Sequence, residues 1–217
     1  MSDLASDIRR LLPNGLGAKG DEERDPLEYP NRPLHVLLLA SGSVASVKIP
    51  LIVDALRQFT QVDVQVVASK SALHFFDREH LESRHEGLVK GWTKMGDPVL
   101  HIELRRWADI VLIAPCSANT LSKIANGMCD NVVTSLLRAL PTFVPTMAFP
   151  AMNTHMFSHP LTAKHMTVLK TELGYEIYGP IPKMLACGDI GAGAMYEWSD
   201  IVQLVQQKYN LTETQKP

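Results

Sequence analysis

The sequence predicts one α/β domain, an open parallel sheet with helices on both faces. Short apolar runs rich in β-branched residues, such as residues 110–114, alternate along the chain with amphipathic helical patterns. This alternation is typical of parallel sheets that are covered on both sides. The chain has 217 residues, of which 46% are hydrophobic, so it can bury the core of a single domain.

Composition and charge exclude several classes of function. The formal net charge of -2 and the absence of a basic stripe argue against a nucleic-acid partner. Three cysteines without short metal-like spacing argue against a disulfide framework and a metal site, and they suit the cytoplasm. No stretch approaches the roughly 20 apolar residues of a membrane span, and the chain does not begin like a signal peptide.

The two ends of the chain are polar. Residues 1–32 carry many charges with interspersed glycine and proline, so they have little to bury and we expect a disordered tail. The domain is then expected over residues 33–209, with a short C-terminal tail over 210–217.

The first predicted strand, residues 34–40, is followed by a helical pattern over 44–59. The turn between them contains Gly42, which permits close approach of the backbone to a ligand. It is not the dinucleotide fingerprint G-x-G-x-x-G, which the chain lacks. Three hydroxyls at this turn are candidate donors for a phosphate: Ser41, Ser43 and Ser46.

The next predicted strand, residues 62–68, also ends in hydroxyls, at Ser69 and Ser71. Phe75 follows, and it belongs either to the core or beside a flat ligand ring. The polar stretch 77–98 is long for a loop in a compact domain, which is typical of functional or mobile segments.

Strict alternation of apolar residues over 99–104 predicts a further strand, with His101 beside the ligand-facing strand ends. A lone histidine is more often a surface or core residue than a functional one. The buried strand at 110–114 then leads through Pro115 into Ser117, Ala118, Asn119 and Thr120 at a predicted helix N-terminus. These residues either cap the helix or bind an anion there, and the sequence supports both interpretations equally.

The rest of the chain continues the alternation. Pro145 inside the next strand suggests an edge or a bulge. The glycine- and proline-rich segment 179–193 holds Cys187 and is predicted to be a mobile flap. The predicted helices cover residues 130–140, 159–173 and 199–209, and the predicted strands cover residues 142–149 and 175–178.

Five short motifs in one unbroken order resemble the flavin-dependent cysteine decarboxylase family, and most closely its phosphopantothenoylcysteine decarboxylases. The agreement runs from about residue 34 to about residue 198. The motifs are Gly42-Ser43-Val44-Ala45, His101-Ile102-Glu103-Leu104 with Trp107-Ala108-Asp109, Ser117-Ala118-Asn119-Thr120, Pro150-Ala151-Met152-Asn153, and Leu185-Ala186-Cys187-Gly188-Asp189 through Gly193-Ala194-Met195.

The resemblance implies a Rossmann-like, flavodoxin-like flavoprotein that uses FMN and forms a homotrimer with active sites between subunits. A group of Met and aromatic residues belongs either to that interface or to the core: Met147, Phe149, Met152, Met156 and Phe157. The cofactor-binding set that the resemblance implies is Gly42, Ser43, Val44, Ser69, Ser71, Phe75, Ser117, Ala118, Asn119, Thr120 and Ala151. The substrate-binding set is Asn153, Lys183, Met184 and Ala186.

The resemblance also implies the catalytic roles. His101 matches the residue proposed as base, Asn153 the residue that holds the substrate carboxylate, and Cys187 the last proton donor. The reaction is decarboxylation of 4'-phosphopantothenoylcysteine to 4'-phosphopantetheine in coenzyme A synthesis. Cys116 and Cys129 are expected to be small buried residues.

Two rival functions stay open at this stage. One is a regulatory flavoprotein that inhibits a protein phosphatase, although retention of His101, Asn153 and Cys187 argues against that as the main role. The other is decarboxylation of a peptide with a C-terminal cysteine, which the matched motifs do not exclude.

Overall fold

The computed structural model describes residues 32–77, 99–184 and 190–212. Predictions for the N-terminal tail as far as residue 31, for residues 213–217 and for most of the 77–98 loop lie outside these ranges. The same holds for Ala186 and Cys187 in the glycine-rich segment.

Five parallel strands form the main sheet in the order β2-β1-β3-β4-β5. This is the flavodoxin-like order, so the predicted fold class is confirmed. A separate antiparallel pair, β6-β7, follows the sheet in sequence. The strands are β1 Leu34–Ala40, β2 Val62–Ala68, β3 Ile110–Cys116, β4 Thr146–Pro150, β5 Glu176–Ile177, β6 Ile181–Met184 and β7 Ile190–Ala194.

Helices cover the sheet on both sides. A 3-10 turn, Val44–Lys48, precedes the first α-helix, and Ala72–His74 forms another. Among the described residues, no helix is long and apolar enough to cross a membrane. The α-helices are α1 Ile49–Leu56, α2 Leu100–Trp107, α3 Ala118–Ala125, α4 Val132–Ala139, α5 Thr154–Ser158, α6 Pro160–Thr171 and α7 Trp198–Tyr209.

The two faces of the sheet carry separate apolar clusters, and alternate residues of β1 and β3 contribute to each. Val36 and Leu112 pack with α1 and α7 on one face. Leu37 and Ile113 pack with α2, α3, α4 and α6 on the other. Every residue of β3 is buried, which explains why this strand is a continuous apolar run in the sequence.

The strand predicted over residues 99–104 is wrong, because these residues form the start of helix α2. Leu100, Leu104 and Trp107 recur at helical spacing and face the second apolar cluster. Over six residues, apolar side chains at every second position fit a strand as well as part of a helix face. The longer spacing to Trp107 distinguishes the two.

The structure also corrects the expectation for Pro145. Strand β4 begins one residue later, at Thr146, and it lies inside the sheet between β3 and β5 rather than at an edge. The register of β3 and β4 shifts between Ile113 and Cys116, towards the other end of β4, so this irregularity is not at Pro145. The Pro145 carbonyl accepts a hydrogen bond from the Val111 N–H at 3.0 Å, a contact that needs no N–H from proline.

Three elements and one terminal residue also differ from the sequence predictions. The first helix begins as the 3-10 turn and ends at Leu56 rather than at residue 59. Helix α5 and the antiparallel pair β6-β7 were not predicted. Arg32, assigned to the tail, donates two hydrogen bonds of 2.6 Å to the buried Asp109 carboxylate, so the ordered fold includes it.

Candidate functional site

A cavity of about 720 Å³ opens at the carboxyl ends of β1 and β3, where the order of the strands reverses. Ligands bind at this point in open α/β sheets, and the volume is within the usual range for ligand sites. The predicted site residues that line the cavity are Gly42, Ser43, Val44, Ser71, Phe75, Ser117, Ala118, Asn119, Ala151, Asn153 and Lys183.

The turns after β1 and β2 meet at Gly42. A Cβ atom at this position would lie 2.4 Å from the Ser71 Oγ and 2.7 Å from its Cβ, so only glycine allows the two turns to approach. Ser69 Oγ lies 3.1 Å from Ser71 Oγ. Ser69 therefore contacts Ser71, which lines the cavity, and Ser69 is not itself among the described lining residues.

Two of the three candidate phosphate donors are used inside the protein instead. The buried Ser41 hydroxyl donates to the Pro115 carbonyl at 2.7 Å and accepts from the Ser117 N–H at 2.8 Å. The buried Ser46 hydroxyl donates to the Ser41 carbonyl at 2.9 Å. The prediction that Ser41 and Ser46 offer donors to a phosphate is therefore wrong, and Ser43 is the one of the three that lines the cavity.

The start of α3 has a cap built from its own side chains. The Ser117 hydroxyl accepts from the Thr120 N–H at 3.3 Å and donates to the Thr120 hydroxyl at 3.2 Å. This confirms the capping interpretation, and it places Thr120 in the cap rather than in the described cavity lining. Ala118 and Asn119, in the first turn of the helix, line the cavity and are adjacent to its N–H groups.

Asn153 lines the cavity as the N-cap of α5. Its side-chain oxygen accepts from the His155 N–H at 2.8 Å, which holds the amide group at the site. A side-chain amide carries an NH2 group that can donate hydrogen bonds to an anion, besides the oxygen that accepts them. Asn153 is uncharged, so it can orient a carboxylate without the strong stabilisation that a cation would give to its charged form.

The β6-β7 pair contributes one charged residue to the cavity, Lys183. Its ammonium forms a 2.6 Å ion pair with Glu197, which also lines the cavity. Met184 lies beside it in β6, as its backbone shows. Lining residues that the sequence analysis did not assign to the site are Ala45, Val47, Lys48, Met152, Met156, Gly193, Ala194, Met195, Tyr196, Glu197 and Trp198. Most of these residues lie in or next to the matched motifs in the sequence, and that position is the signal that could have assigned them to the site.

His101 is half-buried on α2, and it is not among the described residues that line the cavity. Within one chain, the structure therefore brings Asn153 to the site without His101.

The aromatic wall of the cavity is part of a larger group of rings. Tyr196 packs at centroid distances of 6.2 Å from Phe149 and 6.0 Å from Tyr178. The Tyr178 hydroxyl donates to the Glu176 carboxylate at 2.6 Å, and this bond raises the pKa of Tyr178 to about 12. The phenol therefore stays protonated near neutral pH.

The two described cysteines differ in their surroundings. Burial raises the pKa of the Cys116 thiol to about 12, so it is neither a nucleophile nor a proton donor near neutral pH. The expectation of a small buried residue is confirmed for Cys116 and wrong for Cys129, which is exposed. In the described part of the chain, no group of three or more acidic, histidine or cysteine side chains could hold a metal ion.

Comparison with known proteins gives consistent matches. A family model described as Flavoprotein matches residues 25–210. A phosphopantothenoylcysteine decarboxylase of Arabidopsis thaliana is 46% identical over 195 residues, covering 86% of this chain and 91% of the relative. In a probable thymidylate synthase of Schizosaccharomyces pombe, 45% identical over 82% of this chain, the match spans 30% of the relative's length.

Solved structures agree with these relatives. A cysteine-to-serine mutant of PPC decarboxylase complexed with pantothenoylaminoethenethiol matches with a TM-score of 0.76 and 45% identity, covering 82% of this chain and all of that one. The FMN binding protein AtHal3 matches with a TM-score of 0.73 and 46% identity, covering 82% and 98%.

Proposed function

The chain belongs to the flavoprotein family, and we propose that it is an FMN-dependent phosphopantothenoylcysteine decarboxylase. The reaction converts 4'-phosphopantothenoylcysteine to 4'-phosphopantetheine and carbon dioxide in coenzyme A biosynthesis. The observation that carries the proposal is the cavity at the β1/β3 strand ends, which is lined both by hydroxyl-rich turns and by Asn153. We also propose a cytoplasmic location, which the buried free thiol of Cys116 supports.

The residues at the cavity fit FMN. Gly42 leaves room for close approach, Ser43 and Ser71 offer hydroxyls, and the first turn of α3 offers N–H groups to a phosphate. Phe75 and Tyr196 offer flat aromatic surfaces to a ring system. When bound, FMN supplies the two-electron oxidation of the substrate thiol and the later return of those electrons.

The substrate needs this oxidation because its carboxylate lies next to an amide-bearing carbon that cannot stabilise a carbanion. Oxidation of the thiol to a thioaldehyde creates a C=S group that accepts the electrons when carbon dioxide leaves. In our proposal Asn153 holds the carboxylate, His101 removes the thiol proton, and Cys187 donates the last proton. Lys183, Met184 and Ala186 contact the rest of the substrate.

We propose that the protein is a homotrimer whose active sites lie between subunits. Two observations support this arrangement. His101 is not among the described residues lining the cavity of its own chain, so in our proposal it serves the cavity of a neighbouring subunit. Exposed apolar residues occur beside His101, at Val99, and at the cavity rim, at Val44, Val47 and Met156. Contact between subunits would cover both groups.

The first test is turnover of 4'-phosphopantothenoylcysteine by the purified yellow protein, with carbon dioxide and product mass measured. Acid release followed by chromatography should yield FMN. A protein that carries FMN but decarboxylates only a peptide ending in cysteine would contradict the proposed substrate. A protein that inhibits a protein phosphatase without turning over either substrate would contradict the proposed activity.

The shared site is tested by subunit complementation. His101→Asn and Asn153→Asp should each bind FMN and show little turnover, because one lacks the base and the other repels the carboxylate. Co-expression at equal levels should restore up to about a quarter of wild-type activity, since random mixing pairs two intact halves at one site in four. Light scattering should report a trimer. No recovery in trimers that contain both variants would contradict the shared site.

The role of Cys187 is tested by Cys187→Ser. Serine is a much weaker acid than cysteine, whose unperturbed pKa is about 8.5, so the last step should stall. One carbon dioxide per site should be released, and the product should lack two hydrogens relative to 4'-phosphopantetheine. Normal turnover, or no oxidation of the thiol at all, would show that Cys187 has another role.

A further inference from the structure

Strand β7 is attached to the loop that carries Asn153 at two points, one on each side of that residue. On one side, the Met152 N–H donates to the Gly193 carbonyl at 2.9 Å. On the other, Gly191 packs directly on the Thr154 side chain. A Cβ atom at position 191 would lie 2.7 Å from the Thr154 Oγ1 and 2.8 Å from its Cγ2. The approach therefore requires glycine on the strand.

Thr154 meets Gly191 through its shape rather than through its hydroxyl. Its Oγ1 is buried and has no hydrogen-bond partner among the described residues. The backbone of Gly191 is outside the left-handed region, so an alanine there would be opposed by the contact and not by its own conformation. The pair acts as a spacer between α5 and β7.

This spacer has a functional residue on each side of it. Asn153 directly precedes Thr154 and lines the cavity. Lys183 is the cross-strand partner of Gly191 in the β6-β7 register, and it also lines the cavity. The 2.6 Å ion pair with Glu197 further restrains the Lys183 ammonium. The contact between Thr154 and Gly191 therefore joins the segment that carries Asn153 to the strand pair that carries Lys183.

We propose that Thr154 is a positioning residue that fixes the spacing between Asn153 and Lys183. The spacing selects an extended substrate that carries a carboxylate at one end and a phosphate at the other. Asn153 takes the carboxylate and Lys183 the phosphate. This inference rests on the proposed function, since it assigns the two ends of that substrate to two residues of the cavity.

The test compares four variants in the FMN-loaded protein: Gly191→Ala, Thr154→Ala, their combination, and Thr154→Val. Each is assayed with 4'-phosphopantothenoylcysteine and with pantothenoylcysteine, which lacks the phosphate. Gly191→Ala should raise the KM for the phosphorylated substrate about tenfold and reduce the preference for it over the unphosphorylated one. Thr154→Ala should reduce that preference several-fold, because the spacer is shortened.

The two remaining variants distinguish positioning from general damage. The double variant should recover to within about threefold of the wild-type KM, because Thr154→Ala removes both atoms that a Cβ at position 191 would meet. Thr154→Val keeps the shape without the hydroxyl and should behave as wild type. FMN content and the thermal melting temperature are measured for every variant, so that a failure to fold is recognised.

The outcomes separate this inference from the proposed function. If the wild-type chain does not turn over 4'-phosphopantothenoylcysteine, the proposed function fails and the inference with it. If the wild type is active, equal losses for both substrates in Gly191→Ala, or no recovery in the double variant, would overturn the role of Thr154 alone. Should Gly191→Ala not fold, an unchanged substrate preference in Thr154→Ala overturns the inference.

Discussion

Replacing Ser41 by alanine should loosen the point where the two central strands end. The Ser41 hydroxyl lies between β1 and β3, donating to the Pro115 carbonyl at 2.7 Å and accepting from the Ser117 N–H at 2.8 Å. Ser41 is 1% exposed, so a water molecule cannot take the place of its hydroxyl unless the surrounding residues rearrange. Ser117 is also the cap of α3, so the same hydroxyl holds the beginning of that helix at the cavity.

The magnitude follows from the two partners that lose a bond. Leaving the buried Ser117 N–H without a partner costs about 1–3 kcal/mol of stability. Losing the bond to the Pro115 carbonyl costs only about 0.5–1.5 kcal/mol, because that carbonyl still accepts a hydrogen bond from the Ser41 N–H at 3.3 Å. The free energy of unfolding should therefore fall by about 3 kcal/mol, which lowers the melting temperature by roughly 6–12 °C in a chain of this size.

Part of this loss should appear as weaker FMN binding, because the cofactor must hold both turns in their native positions. An increase of about tenfold in the FMN dissociation constant corresponds to about 1.4 kcal/mol, less than half of the expected loss. Urea unfolding of the FMN-free protein and fluorescence titration with FMN measure the two effects separately.

Ser158→Ala is the matched control. The Ser158 hydroxyl is exposed and donates to the His155 carbonyl at 3.3 Å, so its removal should change the stability by no more than about 0.5 kcal/mol. If Ser41→Ala is as stable as this control and binds FMN normally, the Ser41 hydroxyl does not hold the strand ends together.

Three further predictions concern groups in and away from the cavity. Native protein should be alkylated by iodoacetamide at Cys129 but not at Cys116, because the pKa of about 12 keeps Cys116 in the unreactive thiol form. Peptide mass spectrometry after labelling at pH 8 measures the modification of each cysteine, and equal modification of the two would contradict the prediction. Burial lowers the pKa of His35 below its ordinary value of 6.5, so folding favours the neutral ring. The contribution of the neutral ring to the free energy of unfolding should be fully present above pH 6.5 and be lost as the pH falls below that value, so the free energy should fall less steeply with pH in His35→Gln. Urea unfolding of both proteins from pH 7 to 5 measures this, and the same pH dependence in both would contradict it. Asn153→Asp should retain FMN yet lose at least about tenfold in kcat/KM, since a carboxylate repels the substrate's own, and unchanged kinetics would place the substrate elsewhere.

The elements that the sequence predicts well are those whose burial shapes the local pattern. β1 and β3 are buried on both faces, so they appear as short, mostly apolar runs bounded by turn residues, a pattern typical of buried parallel strands. The turns that follow them contain Gly42 and Ser117, residue types that tight turns and helix caps require. Both the fold class and the position of the cavity follow from these local features.

The parts that the sequence does not predict depend on partners distant in the chain. Helix α2 is recognised only when Trp107 is included with the residues before it, because six alternating residues fit either structure. The β6-β7 pair is rich in glycine, and one of those glycines, Gly191, is needed by its contact with Thr154 rather than by a turn. The ion pair between Lys183 and Glu197 joins residues 14 positions apart, and no local sequence pattern predicts it.

Hydroxyl-rich turns at strand ends are therefore a good sign of where a site lies and a poor sign of which residues bind the ligand. At the first turn, Ser41 and Ser46 bond within the protein while Ser43 lines the cavity. At the second, Ser117 and Thr120 bond to each other; Ser117 borders the cavity together with Asn119, and Thr120 is not among the described lining residues. A turn that must present backbone N–H groups to an anion needs its own carbonyl and N–H groups satisfied first, and hydroxyls are the smallest side chains able to do so. The internal bonds are thus what keep the exposed donors in place, which is why loss of the buried Ser41 hydroxyl should weaken FMN binding although Ser41 does not line the cavity.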